Sequence, residues 1–291
     1  MKTWNRVAIV GVGLIGGSIG IDLLRRGIAR HVVGIGRRQE SLDEARDVGA
    51  VSSTSLDMSQ GVRDAELVIV CTPVGRIVED VLAAAKAAKP GTLITDAGST
   101  KAEIVASLER AAVNGSLSND AAFVGSHPLA GGEKTGPRAA IADLFVNRVV
   151  VVTPSAGSKE VDVRTISIFW SSLGARVMKM SAEEHDRIVA ATSHLPHLVA
   201  SVLAASTDAA HLPLTAGGWL DTTRIAAGDA SLWQQILLSN RANVLESLQR
   251  FEQNLAVMRQ AIEAGDADEI QRLLNEARQL RRRISHGSSS D

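Results

Sequence analysis

RVAIVGVGLIGGSIGI, residues 6–21, is the stretch that decides how this chain is read. A strand-like apolar run enters Gly11, and Gly13 and Gly16 complete the pattern G-x-G-x-x-G. Glycine is common, so the pattern alone is weak; its place, directly after a strand and at the opening of a helix, gives it meaning. Gly11 permits the tight turn, Gly13 leaves room for a pyrophosphate against the backbone, and Gly16 lets the helix pack close to the sheet. The first N–H groups of the helix then face the anion. Leu14 and Ile15 in the loop, and Thr72 and Pro73 after a later strand-like run, belong to the same expected cofactor site. An export signal is the competing reading of this stretch. Asp22 ends the apolar run too early to span a bilayer, and no small-x-small cleavage site follows.

Outward from the loop, short β-branched runs alternate with helical stretches. HVVGI (31–35), LVIVC (67–71) and TLIT (92–95) read as buried parallel strands. SLDEARDVG (41–49) and VEDVLAAAKAAKPG (78–91) read as the helices between them. The alternation predicts an α/β fold, a Rossmann-type doubly wound parallel sheet, which NRVVVVTP (147–154) and ARVMKM (175–180) extend. Strand signals stop near residue 181. The boundary expected there divides a dinucleotide-binding domain, 1–181, from an all-α dimerisation and substrate domain, 182–291. In the latter, Val244, Leu248, Phe251, Leu255, Met258 and Ile262 form a heptad-like stripe. Gly265 should end that helix and Asp266 cap the next. The segment from Ile188 to Leu203 is apolar on nearly every side. Burial against a second copy of the chain is the simplest way to cover it, and a self-contained bundle is the alternative. The tail SHGSSSD is expected to be disordered.

The whole chain sets the outer limits. It has 291 residues, 45% of them hydrophobic, which excludes a disordered protein and suffices for a sizeable core. The net charge of −1 carries no basic field for nucleic acid or an anionic membrane, and the absence of tyrosine removes stacking surfaces for single strands. A single cysteine fits a reducing cytoplasm.

Cofactor choice is expected at the end of the second strand, where an acidic residue would hold the ribose hydroxyl of NAD. Gly36 stands there instead, followed by Arg37 and Arg38. Two guanidiniums suit a 2′-phosphate, which favours NADP, with NAD or a plain surface pair as alternatives.

Four later segments carry chemistry. DAGSTK (96–101) lies at a strand end, where Ser99 can face the cofactor or simply cap a helix. VGSHPLAGGEKTG (124–136) places His127 in a glycine-rich loop, where an imidazole can accept a proton from an alcohol as hydride leaves the same carbon. A structural histidine is the even alternative. EEHDRIVAATSHLPH (183–197) brings Asp186, His194 and His197 together. Pro196 between the histidines and the lack of a cysteine cluster argue against a metal, so they read as substrate donors. In GWLDTTRIAAGDASLW (218–233), Arg224 is a candidate carboxylate clamp or a surface ion pair with Asp221 or Asp229.

These elements together resemble the prephenate/arogenate dehydrogenase family of tyrosine biosynthesis. The resemblance rests on GVGLIGGS, DAGS, GSHPLAGGEK, the run from Asp186 to His197 and DTTRIAAGDASLW, in that order across nearly the whole chain. It implies a dinucleotide-binding domain, a helical domain that interlocks with its twin in a homodimer, and oxidative decarboxylation of a cyclohexadienol. It further implies that His127 deprotonates the ring C4 hydroxyl, assisted by Ser99. Arg224 would bind a substrate carboxylate with Asp186 orienting it, while His197, Glu133 and Trp233 line the pocket. SHLPH resembles prephenate users; arogenate is the alternative substrate, which a carboxylate such as Glu133 would suit. With no ligand-binding domain expected after residue 291, any feedback by tyrosine is expected to act at the active site or the dimer.

Overall fold

The computed structural model describes residues 3–117, 120–132 and 134–286. Glu133 and residues 287–291 of the tail therefore lie outside the described residues, and with them the expectations placed there. The elements, in chain order, are β1 (Trp4–Val10), α1 (Leu14–Arg25), β2 (Ala29–Ile35), α2 (Gln39–Asp47), β3 (Ser53–Ser55), α3 (Met58–Val62) and β4 (Leu67–Val70). Next come α4 (Ile77–Ala87), β5 (Leu93–Asp96), α5 (Ala102–Val113), β6 (Ala122–Pro128), β7 (Val149–Thr153), α6 (Glu160–Ser172) and β8 (Arg176–Lys179). Helices follow: α7 (Ala182–Val189), α8 (Leu195–Ala205), α9 (Gly217–Thr223), α10 (Ala230–Ser239), α11 (Arg241–Ala264) and α12 (Ala267–His286).

The eight strands form one sheet in the order β3-β2-β1-β4-β5-β6-β7-β8. Alternate residues of β1 feed opposite faces: Val7 and Ile9 join one apolar core with Ile19, Leu23 and Trp170, while Ala8 and Val10 join another with Val81, Ile94 and Leu108. Both faces are buried, which is why the strands read as continuous apolar runs rather than alternating ones. The sheet is parallel except for one pair. β7 runs antiparallel to β6, with His127 opposite Val151, so the expected parallel sheet carries one antiparallel pair where the run 147–154 extends it. A fully buried run such as VVVV reads the same in either direction, so its sequence carries no signal of sense.

Chain order reverses between β1 and β4, and this is where ligands bind in open α/β sheets. Gly11 leaves β1 there with φ +90°, and Cys71 and Thr72 leave β4 beside it.

The residues divide into two compact units, Met1–Arg241 and Ala242–Asp291. Helices α7 to α10 thus share a unit with the sheet. The second unit holds nearly all of α11, together with α12. Gly265, at φ +64°, ends α11, and the Asp266 carboxylate accepts from Glu269 N at 3.0 Å to cap α12, as the sequence predicts.

From Ala182 to Ala205 the helical run is long and apolar enough to cross a membrane by length and composition. Yet His185, Asp186, His194 and His197 lie buried along it, and side chains of that kind are costly in hydrocarbon. Its middle, Ala190–His194, is a π turn just before Pro196. Proline cannot continue the regular ladder, and a wider turn absorbs the mismatch.

Candidate active site

Three adjoining cavities open along the C-terminal ends of the strands. The first, of 790 Å³, is bordered by Gly11–Gly13, Gly36, Arg37, Arg38, Thr72 and Pro73. The second, of 460 Å³, shares Gly13, Thr72 and Pro73 with the first and adds Leu14, Ile15, Ser99 and His127. The third, of 570 Å³, again includes Ser99 and His127, and continues to His194 and Trp233. Ser99 and His127 therefore stand where the second and third cavities meet.

The glycine loop fits a dinucleotide on its own geometry. A Cβ at Gly13 would meet nothing within 4 Å, so the backbone borders open space there. At Gly11 a Cβ would lie 2.8 Å from the Cys71 carbonyl oxygen, and at Gly16 it would collide with the Gly11 carbonyl. Gly16 thus serves packing and does not border the cavities. Gly13 is the N-cap of α1 and supplies no side-chain cap, which leaves the helix start available to an anion. Arg37 and Arg38 lie exposed on the rim.

The base of the site is a buried ion pair that the sequence reading missed. Asp96 accepts from Lys101 Nζ, from Gly98 N at 2.9 Å and from Ser126 N at 3.1 Å. It thereby ties the DAGS turn to β6 and places Ser99 beside His127. Both partners are fully buried; burial pushes the Lys101 amine down, against the pull of Asp96. The signal was present in DAGSTK, where an acid and a base flank the turn.

His127 is on strand β6 itself, not in the loop after it. Its Nδ1 lies 2.8 Å from His185 Nε2, and His185 Nδ1 lies 2.7 Å from Asp186 Oδ1. Burial, followed by the nearby His185, Lys101 and His194, pushes the His127 imidazole well below its ordinary range. Each of these favours the neutral form of the ring.

Asp186 is placed behind this histidine pair and does not border the three cavities. Its carboxylate accepts from Lys101 N at 2.7 Å and Ala102 N at 2.9 Å. A carboxylate at the start of α5 satisfies that helix and interacts favourably with its dipole. Because Asp186 caps α5, Ser99 takes no part in capping, and its hydroxyl is left to border the cavity.

His194 borders the third cavity, with Nδ1 3.2 Å from the Asn240 side-chain amide, and burial pushes it down to about 4. His197 stacks on Trp233 at 3.6 Å between ring centroids, 9° from parallel. A Cβ at Gly228 would press on both rings. His197 Nδ1 is buried with no hydrogen-bond partner among the described residues, and His197 itself does not border the three cavities. Arg224 opens the short turn Arg224–Ala227, is exposed, and does not border the three cavities.

Comparison with known proteins agrees with this geometry. Residues 19–179 match the model of the prephenate dehydrogenase nucleotide-binding domain, and residues 181–276 match that of the prephenate dehydrogenase dimerization domain. A cyclohexadienyl dehydrogenase of Zymomonas mobilis is 33% identical over 97% of this chain and 96% of its own length. A prephenate dehydrogenase of Bacillus subtilis is 31% identical over 95% of this chain and 75% of its own. Among solved structures, a prephenate dehydrogenase of Aquifex aeolicus in complex with hydroxyphenyl propionate and NAD+ superposes with TM-score 0.86 at 29% identity, covering 96% of this chain and 98% of that one. A Synechocystis arogenate dehydrogenase superposes with TM-score 0.79 at 28% identity, covering 96% of this chain and 99% of that one. With both domain models matched in order and a relative similar over nearly its full length, the chain belongs to the prephenate dehydrogenase family of oxidoreductases.

Proposed function

We propose that this protein is an NADP-dependent prephenate dehydrogenase, converting prephenate to 4-hydroxyphenylpyruvate and carbon dioxide in tyrosine biosynthesis. The observation that carries this reading is the place of the His127 imidazole at the junction of the second and third cavities, where burial lowers its proton affinity. A bound nicotinamide supplies the hydride acceptor. His127 takes the proton of the C4 hydroxyl as the C4 hydrogen departs, and Ser99 hydrogen-bonds the same oxygen. Loss of the ring carboxylate then makes the ring aromatic. Aromatisation drives the reaction, so the protein's task is orientation and proton management.

Arg37 and Arg38, in place of a ribose-binding carboxylate, support NADP over NAD. His197 and Trp233 form one wall for the substrate side chain, and a neutral His197 suits a keto group. His194 is a second neutral donor, and Arg224 is the proposed carboxylate clamp. Val202 and Leu203 of α8 are exposed, which supports a homodimer that covers them. A cytoplasmic location agrees with the single cysteine. Arogenate is the second substrate to test, since one relative is named a cyclohexadienyl dehydrogenase. Initial rates with each substrate and each cofactor decide the matter. The reading requires the highest kcat/KM for prephenate with NADP+; turnover of neither cyclohexadienol would refute it.

A further inference from the structure

Behind His127 the hydrogen bonds leave little freedom for protons. Asp186 accepts from two backbone N–H groups at the start of α5, one at each carboxylate oxygen. An ionised carboxylate only accepts, so the His185 Nδ1, 2.7 Å away, must donate to it. With its single ring proton directed to Asp186, His185 presents a bare Nε2 in the arrangement proposed below. His127 Nδ1 faces that atom at 2.8 Å and must supply the hydrogen between them. The proton of His127 is thereby held at Nδ1, and the bare lone pair is at Nε2. The two rings meet edge to face, 74° between planes.

We propose that His185 is a positioning residue that holds His127 as the Nδ1–H tautomer. It also receives that Nδ1 proton once Nε2 has taken the substrate's, so that the charge rests on the inner imidazole beside Asp186. This rests on the reading of His127 as the base. The exchange balances. The hydroxyl O–H bond breaks to Nε2 of His127, and the His127 Nδ1–H bond breaks to Nε2 of His185. The C4–H pair leaves as hydride, and the pair from the bond to carbon dioxide enters the ring. Both protons then step back, and the phenolate oxygen recovers its hydrogen. The overall reaction releases no proton, so the histidine pair only has to hold one.

The charged and titratable neighbours explain why the inner ring is the better resting place. His127 looks toward the Lys101 amine, which is paired with Asp96, and toward His194 on the π turn. These disfavour a cation on the outer ring. His185 is in direct contact with the Asp186 carboxylate, the counter-charge beside which the proton would rest, with His194 the other titratable group acting on it.

Two measurements test this. The first is a long-range proton–nitrogen correlation spectrum of the ligand-free wild-type protein labelled with 15N-histidine, above pH 7. Its signals are assigned with His127→Asn and His185→Gln. The expected result is a protonated Nδ1 and bare Nε2 on His127; the opposite tautomer overturns the proposal. The second is steady-state kinetics of His185→Gln, with folding checked by circular dichroism. The kcat should fall about 10²-fold with KM changed less than about threefold, and its acid limb should shift. An unchanged kcat and limb overturn it. An inactive wild-type protein would refute the functional reading and the proton exchange with it, whereas an active protein with the wrong tautomer refutes the positioning role alone.

Discussion

The two halves of the site are built by different means. The cofactor half is backbone: Gly11 turns, Gly13 clears space and Gly16 admits the sheet, all within six residues. The substrate half is side chains drawn from distant segments. Lys101 meets Asp186 across 85 positions of sequence, and His127 meets His185 across 58. A backbone site tolerates little change in any one residue but needs no distant partner. A side-chain network needs every partner in place, and its failure shows in chemistry before it shows in folding.

The largest expected effect therefore lies in the network. His127→Asn should lower kcat by about 10²–10⁴, the usual contribution of a general base, while KM changes little. An equal loss in both, measured by steady-state kinetics, would make His127 a binding residue instead. Next come the glycines, which split the backbone half in two. Gly16→Ala puts a Cβ against the Gly11 carbonyl and should cost about 1–3 kcal/mol of stability, the range for overpacking. Gly13→Ala meets no atom and should leave the melting temperature unchanged, yet raise the cofactor KM about tenfold, or about 1.4 kcal/mol. Denaturant titration and cofactor kinetics separate the two. Similar behaviour of both variants would contradict the division of roles. Arg37→Ala removes a proposed charge-assisted hydrogen bond of about 1.5–3 kcal/mol, so the NADP/NAD ratio of kcat/KM should fall roughly ten- to hundredfold. An unaltered ratio would leave the arginine a rim charge.

The smallest effect is the dependence on pH. The proposed base His127 would have to be neutral to take a proton, and its proton affinity is depressed. The acid limb of kcat/KM should therefore lie below pH 6.5. His194 is held down to about 4 in the fold, whereas an unfolded imidazole takes its proton near about 6.5. Between these values the unfolded chain binds more protons, so stability should fall as pH drops from 6.5 toward 4, and this group's share of the loss should level off below that. Melting curves across that range check the sign.

The same contrast explains what the sequence made legible. GVGLIG could be read because its spacing and its place between a strand and a helix are both local in sequence. The β-branched runs located their strands because burial on both faces demands continuous apolar stretches. The sense of β7 was not legible, since pairing direction is set by the connection rather than by composition. His127 was read as a candidate base and placed in a loop, because Gly125 and Pro128 look like loop residues even though they lie on β6. His185 stands next to Asp186 in the sequence and still went unnoticed. Its contact with His127 exists only in the fold, where a residue of α7 meets one of β6. Asn240, which reaches His194 and the Asp186 carbonyl, was invisible for the same reason.

One measurement bears on all of this: a crystal structure with oxidised cofactor and 4-hydroxyphenylpyruvate bound. The account predicts His127 Nε2 about 2.6–3.2 Å from the phenolic oxygen, or joined to it through one water. If that nitrogen lies farther off with no bridging water, or if another side chain holds the oxygen, His127 is not the base.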